Sequence, residues 1–133
     1  MTHPRRWRLL LPVCLLLGLA GTMLAGPENK AQYTIAGILV KLNHFPNDAD
    51  KTSLKGVVED KASSTHEKVV AQALMNVQHK VTADDRAKLD ELLKDKTAPE
   101  SVKTLATIIV NLNHAPSDAD KETLKKFGVL APK

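Results

Sequence analysis

His44, His79 and His114 follow one another at intervals of 35 residues, and each sits in a polar string: "LNHFPNDADK", "VQHKVTADDR" and "LNHAPSDADK". Imidazole is the commonest transition-metal ligand and a general base near neutral pH. The repeated residues therefore raise two chemistries: a three-nitrogen metal site, or a His held in one tautomer by a neighbour such as Asp48 or Asp50. Zinc binds imidazole at about 2.0–2.1 Å, so three ligands must converge on one point. In an open stack of units, helices pack about 8–10 Å apart, equivalent side chains point the same way, and the outer histidines stand about 20 Å from each other. Convergence requires the units to close around a shared axis.

Other signs of chemistry are missing from the sequence. Beyond the first 25 residues there is no His-x-x-x-His or Glu-x-x-His pairing, no Cys, no nucleophile elbow and no glycine-rich phosphate loop. The expectation is a protein that is not an enzyme and carries no cofactor, with His44, His79 and His114 as metal ligands the alternative.

The same strings have a structural use. Asn47, Thr82 and Ser117 stand where a second helix begins, and Asp50, Asp85 and Asp120 lie three residues further on. Asn, Thr and Ser share the ability to accept a hydrogen bond from a free N–H at a helix start, and an acid at the third position suits both a return bond and the positive end of the helix dipole. Pro46 and Pro116 disfavour helical geometry at the residue before them and end the preceding helix. The histidines then fall in that helix's last turn, beside free carbonyls, with Asn43, Gln78 and Asn113 as further partners. A joint between two helices is the preferred reading of the string. Lys51, Arg86 and Lys121 read as a solvated basic row.

The elements around these joints repeat too. Laying residues 34–57 over 104–127 gives 14 identities in 24 positions, and the middle copy keeps the apolar frame with His79 and Asp85. Ile35, Ile38, Leu39 and Leu42 mark one helical face, and Leu105, Ile108, Ile109 and Leu112 repeat it. The pattern predicts helices at 29–44, 48–59, 65–79, 83–95, 98–114 and 118–127. Ser64 with Glu67, and Thr97 with Pro99 and Glu100, are start signals, while Gly128 is a left-handed stop. In "DDRAKLDELLKDK", Leu89, Leu92 and Leu93 face inward and Asp84 pairs with Lys88. The fold class is all-α: three tandem helix-hairpin repeats of about 35 residues forming a short bundle or solenoid. The period is near the tetratricopeptide value of about 34, but the Trp-Leu-Gly-Tyr signature of those repeats is missing.

The chain opens "MTHPRRWRLLLPVCLLLGLAGTMLAG", with Arg5, Arg6 and Arg8 ahead of a leucine-rich run and a small-residue exit. That is the layout of a secretory signal peptide, residues 1–25, cleaved near Ala20 or Ala25, leaving one domain at 26–133. Only an uncleaved leader would place the protein in a membrane. Removing the leader takes three of the 19 basic residues and none of the 15 acidic ones, so the formal charge falls from +4 to +1. A nucleic-acid partner loses its electrostatic support. Tyr33, Phe45 and Phe127 are the only aromatics left, which counts against stacking platforms for bases. With no Cys left to form a disulfide, the compartment expected is periplasmic or secreted in a bacterium. The function expected is a non-catalytic envelope module for a protein or peptide partner; a periplasmic metal- or small-ligand-binding protein built on the histidines is the alternative.

Overall fold

The computed structural model describes residues 30–129, so the leader read at 1–25 lies outside them. Six helices follow in order: α1 (Lys30–Lys41), α2 (Asp48–Glu59), α3 (Thr65–Met75), α4 (Ala83–Lys94), α5 (Glu100–Val110) and α6 (Asp118–Lys125). Among the described residues there is no strand, and no helix is long and apolar enough to cross a membrane. The fold is all-α.

The odd-numbered helices carry the wider apolar stripes and form the centre. Ile35 and Leu39 of α1, Val70 and Leu74 of α3, and Leu105 and Ile109 of α5 are wholly removed from solvent, and these three helices pack on one another. The even-numbered helices are charged outside and insert one fully buried leucine each: Leu54, Leu89 and Leu124. Helix α2 packs against α3, α4 against α5, and α6 against α1. The last helix thus meets the first, and the elements run round a centre rather than along a line. The open stack, with its outer histidines about 20 Å apart, does not form.

Helix starts follow from side-chain chemistry. Asn47 Oδ1 accepts from the Asp50 N–H at 2.8 Å, Thr82 Oγ1 from Asp85 at 3.2 Å, Ser117 Oγ from Asp120 at 3.1 Å, and Ser64 Oγ from Glu67 at 3.2 Å. At α3 and α6 the acid also reaches back to the N–H of the capping residue, closing a full capping box. Thr97 differs from expectation, since it does not cap α5. Its N–H and hydroxyl both donate to Asp95 Oδ1, at 2.8 and 2.7 Å, forming a local turn, and α5 begins after Pro99 with no side-chain cap. Lys88 reaches Asp85 at 3.5 Å rather than Asp84.

One polar pair lies inside the core. Gln32 Nε2 on α1 donates to Glu67 Oε1 on α3 at 3.0 Å, while Glu67 Oε2 accepts the Ser64 N–H at 2.8 Å, so both carboxylate oxygens are used. The third position at this spacing is Val102, fully buried. At the other end of the sequence, Gly128 adopts φ +81 and returns the chain so that Val129 is buried.

Candidate metal centre

Three helix boundaries differ from the sequence reading in a way that matters for the histidines. Helices α1, α3 and α5 stop at Lys41, Met75 and Val110, three or four residues before His44, His79 and His114. The histidines are therefore not in a last helical turn. They occupy loops, at φ +69, +66 and +67, and are the only non-glycine residues with positive φ among the described residues. Around His44 and His114 the following N–H donates to the preceding carbonyl, Phe45 to Asn43 at 2.9 Å and Ala115 to Asn113 at 2.8 Å. A three-residue turn closed in this way at positive φ is rare and strained.

The same loops are tied to one another through the histidine backbone. The His79 N–H donates to the His44 carbonyl at 2.8 Å, His114 to His79 at 2.7 Å, and His44 to His114 at 2.7 Å. Each histidine gives one bond and receives one, in a closed head-to-tail ring. Left-handed geometry turns both groups sideways, out of line with their own helix. The ring thereby gives each histidine's own N–H and carbonyl, which lie beyond the helix ends, a backbone partner.

The side chains converge as tightly as the backbone. The Nδ1 atoms are separated by 3.1 Å (His44 to His79), 3.1 Å (His44 to His114) and 2.9 Å (His79 to His114). Ring centroids are 4.9–5.2 Å apart, with the rings inclined at 71–81° to each other. The imidazoles therefore splay outward from an inner triangle of Nδ1 atoms, and all three residues are exposed. Hydrogen bonding alone cannot satisfy this triangle. A protonated Nδ1 only donates and an unprotonated one only accepts. Three atoms in mutual contact sharing two roles always leave at least one like pair, either two lone pairs or two N–H groups, facing each other across about 3 Å. A cation at the centre takes all three lone pairs at once. Three neutral imidazoles are a donor set suited to zinc, nickel and other first-row ions.

The neighbouring acids do not join the histidines. Asp50 pairs with Lys41 at 2.9 Å, and Asp120 Oδ2 is held by the Ser117 hydroxyl at 2.7 Å. Asp85 accepts from Asn76 at 2.9 Å and Thr82 at 2.8 Å. Burial pushes the Asp85 carboxyl up, but the hydrogen bonds from Asn76 and Thr82, with the Lys88 cation, outweigh it and leave it below its ordinary value. A His–Asp pair that could fix a general base is thus not formed in any loop. Among the described residues the one contact of that kind lies elsewhere: His66 Nε2 meets Asp95 Oδ2 at 2.9 Å. The Thr97 hydroxyl, then His66, then the Thr97 N–H hold the Asp95 carboxyl down to about 2.

The candidate caps Asn47, Asp50, Thr82, Asp85, Ser117 and Asp120 thus stand at helix starts, and His44, His79 and His114 meet at one point. Sequence reasoning missed the backbone ring, which uses only N–H and C=O groups and leaves no side-chain signature. It also missed the Gln32–Glu67 pair, although the two residues share the spacing of the histidines. Comparison of the chain with protein-family models, curated proteins and solved structures finds no match.

Proposed function

We propose that the protein is an exported, non-catalytic helical protein of the bacterial envelope that binds one divalent transition-metal ion through His44, His79 and His114. The observation that carries the reading is the triangle of Nδ1 atoms within 3.1 Å of one another. The backbone supports it. A non-glycine residue in a strained positive-φ turn costs about 1–3 kcal/mol, and such residues cluster at functional sites. A joint with no other duty is served better by Gly, which adopts this geometry freely. Here all three loops carry a histidine instead.

We also propose that the sequence repeat corresponds to three helix hairpins, α1–α2, α3–α4 and α5–α6, arranged about one axis through the histidine triangle. The packing of α1 on α2 and of α3 on α4 supports the first two hairpins, and that of α2 on α3, α4 on α5 and α6 on α1 supports the closed arrangement. The test of the metal reading is equilibrium dialysis of the protein against zinc, cobalt and nickel, followed by metal analysis. One ion per chain is expected, with loss of binding in His114→Ala. No retained ion at saturating metal removes the proposal.

A second reading, a surface for a protein or peptide partner, draws on an open cleft of about 1150 Å³ lined in part by Tyr33, Pro99, Thr123 and Phe127. Tyr33 is 52% exposed there. Capture of one envelope protein by the native chain, lost in Tyr33→Asp, is the outcome this reading requires.

A further inference from the structure

Resting on the metal reading, we infer that the loaded histidine triangle is a receptor for a chelating oxyanion, which completes the coordination of the ion on its solvent side. Two features of the site converge on this. The first is angular. Nitrogens 2.9–3.1 Å apart, joined to an ion by bonds of about 2.1 Å, subtend angles near 90° at the metal. Tetrahedral ligation at the same bond length needs separations of about 3.4 Å. The triangle is therefore the face of an octahedron. Three further positions remain, adjacent to one another on the far side of the ion, and no carboxylate of the described residues stands with the histidines to fill them.

The second feature is charge. Three neutral imidazoles leave a divalent ion with its full positive charge. No acid of the three loops joins the histidines, and three of them are committed elsewhere: Asp50 to Lys41, Asp85 to Asn76, Thr82 and Lys88, and Asp120 to Ser117. A negative donor from outside satisfies coordination and charge together. Adjacent positions 90° apart suit a ligand presenting two oxygens on a short bite, so a dicarboxylate or similar chelating oxyanion is preferred over a single carboxylate. Exposure of all three histidines leaves the approach open.

The test uses cobalt as the ion, because its visible spectrum reports coordination, with oxalate as the chelating probe and acetate as the one-oxygen control. Protein loaded with cobalt and freed of excess metal is expected to show the weak visible bands of six-coordinate cobalt. These should shift to saturation with oxalate, respond less to acetate, and keep the cobalt with the protein. Metal-free protein should bind no oxalate. Retained cobalt with intense four-coordinate bands, or bands that oxalate leaves unmoved, overturns this inference while the metal reading stands. Removal of the cobalt by oxalate also overturns it. Failure to retain cobalt overturns both.

Discussion

Replacing His79 by glycine separates a strained ligand from a structural joint, because the two roles predict opposite changes in stability. The imidazole is exposed, so its removal empties no core space. The backbone ring survives, since glycine keeps the N–H that donates to His44 and the carbonyl that accepts from His114. At φ +66 an L-residue is disfavoured by roughly 1–2 kcal/mol, whereas glycine is not. Against that gain stands the larger freedom of glycine in the unfolded chain, about 0.4–1 kcal/mol. Metal-free His79→Gly should therefore be as stable as the parent or more so, by up to about 1.5 kcal/mol. The parent at a free metal concentration 100 times Kd gains about 2.7 kcal/mol. At roughly 4–8 °C per kcal/mol for a domain of this size, its Tm rises by about 10–20 °C. The variant should lose most of that rise. Thermal unfolding followed by circular dichroism, with and without zinc, reads both effects. If the metal-free variant is destabilised by more than about 1 kcal/mol, the imidazole is holding the loop together and the strain argument is wrong. A full metal-induced rise in the variant refutes the site.

Other expectations rest on separate contacts. Thr82→Ala and Ser117→Ala each remove a hydroxyl that caps a helix, and should lower stability by about 0.5–2 kcal/mol in urea unfolding without changing metal binding. Leu74→Ala, at a position with no solvent exposure, should cost about 2–5 kcal/mol by the same measurement. Asp95 is held down to about 2, against an unfolded value of about 3.9. A depressed carboxylate stabilises the fold above the unfolded value and loses that contribution as pH falls through the folded one. The acid limb of a pH-stability curve between about 4 and about 2 should therefore flatten in Asp95→Asn. Metal affinity should fall as pH drops, because protons compete for the same Nδ1 lone pairs. Dialysis at two pH values checks it.

How much of this was legible beforehand differs from residue to residue. The apolar face of Ile35, Ile38, Leu39 and Leu42 was readable because burial imposes a period on the sequence, and all four residues are buried. The start of α3 was readable because Ser64 and Glu67 act within four residues of each other. Thr97 misled because Asp95, two residues before it, offered a nearer acceptor than the helix start offered donors. The local pattern puts the histidines inside the helix, as nothing in "LNH" shows that α1 stops at Lys41. Their convergence depends on α6 packing against α1, a contact between the two ends of the described chain that local spacing does not encode. The equivalence of the three loops could be read from the period, but whether equivalent residues stand apart or meet is decided by closure.

The head-to-tail bonds among His44, His79 and His114 also fix arithmetic. Each amide and each carbonyl in that circle is already spoken for by its neighbour, so the circle has no vacant place. Lengthening the gene by another 35-residue copy would force one link to break before the newcomer could be seated. Solenoids grow and shrink by whole units; a molecule whose loops clasp hands in this manner is held to its number.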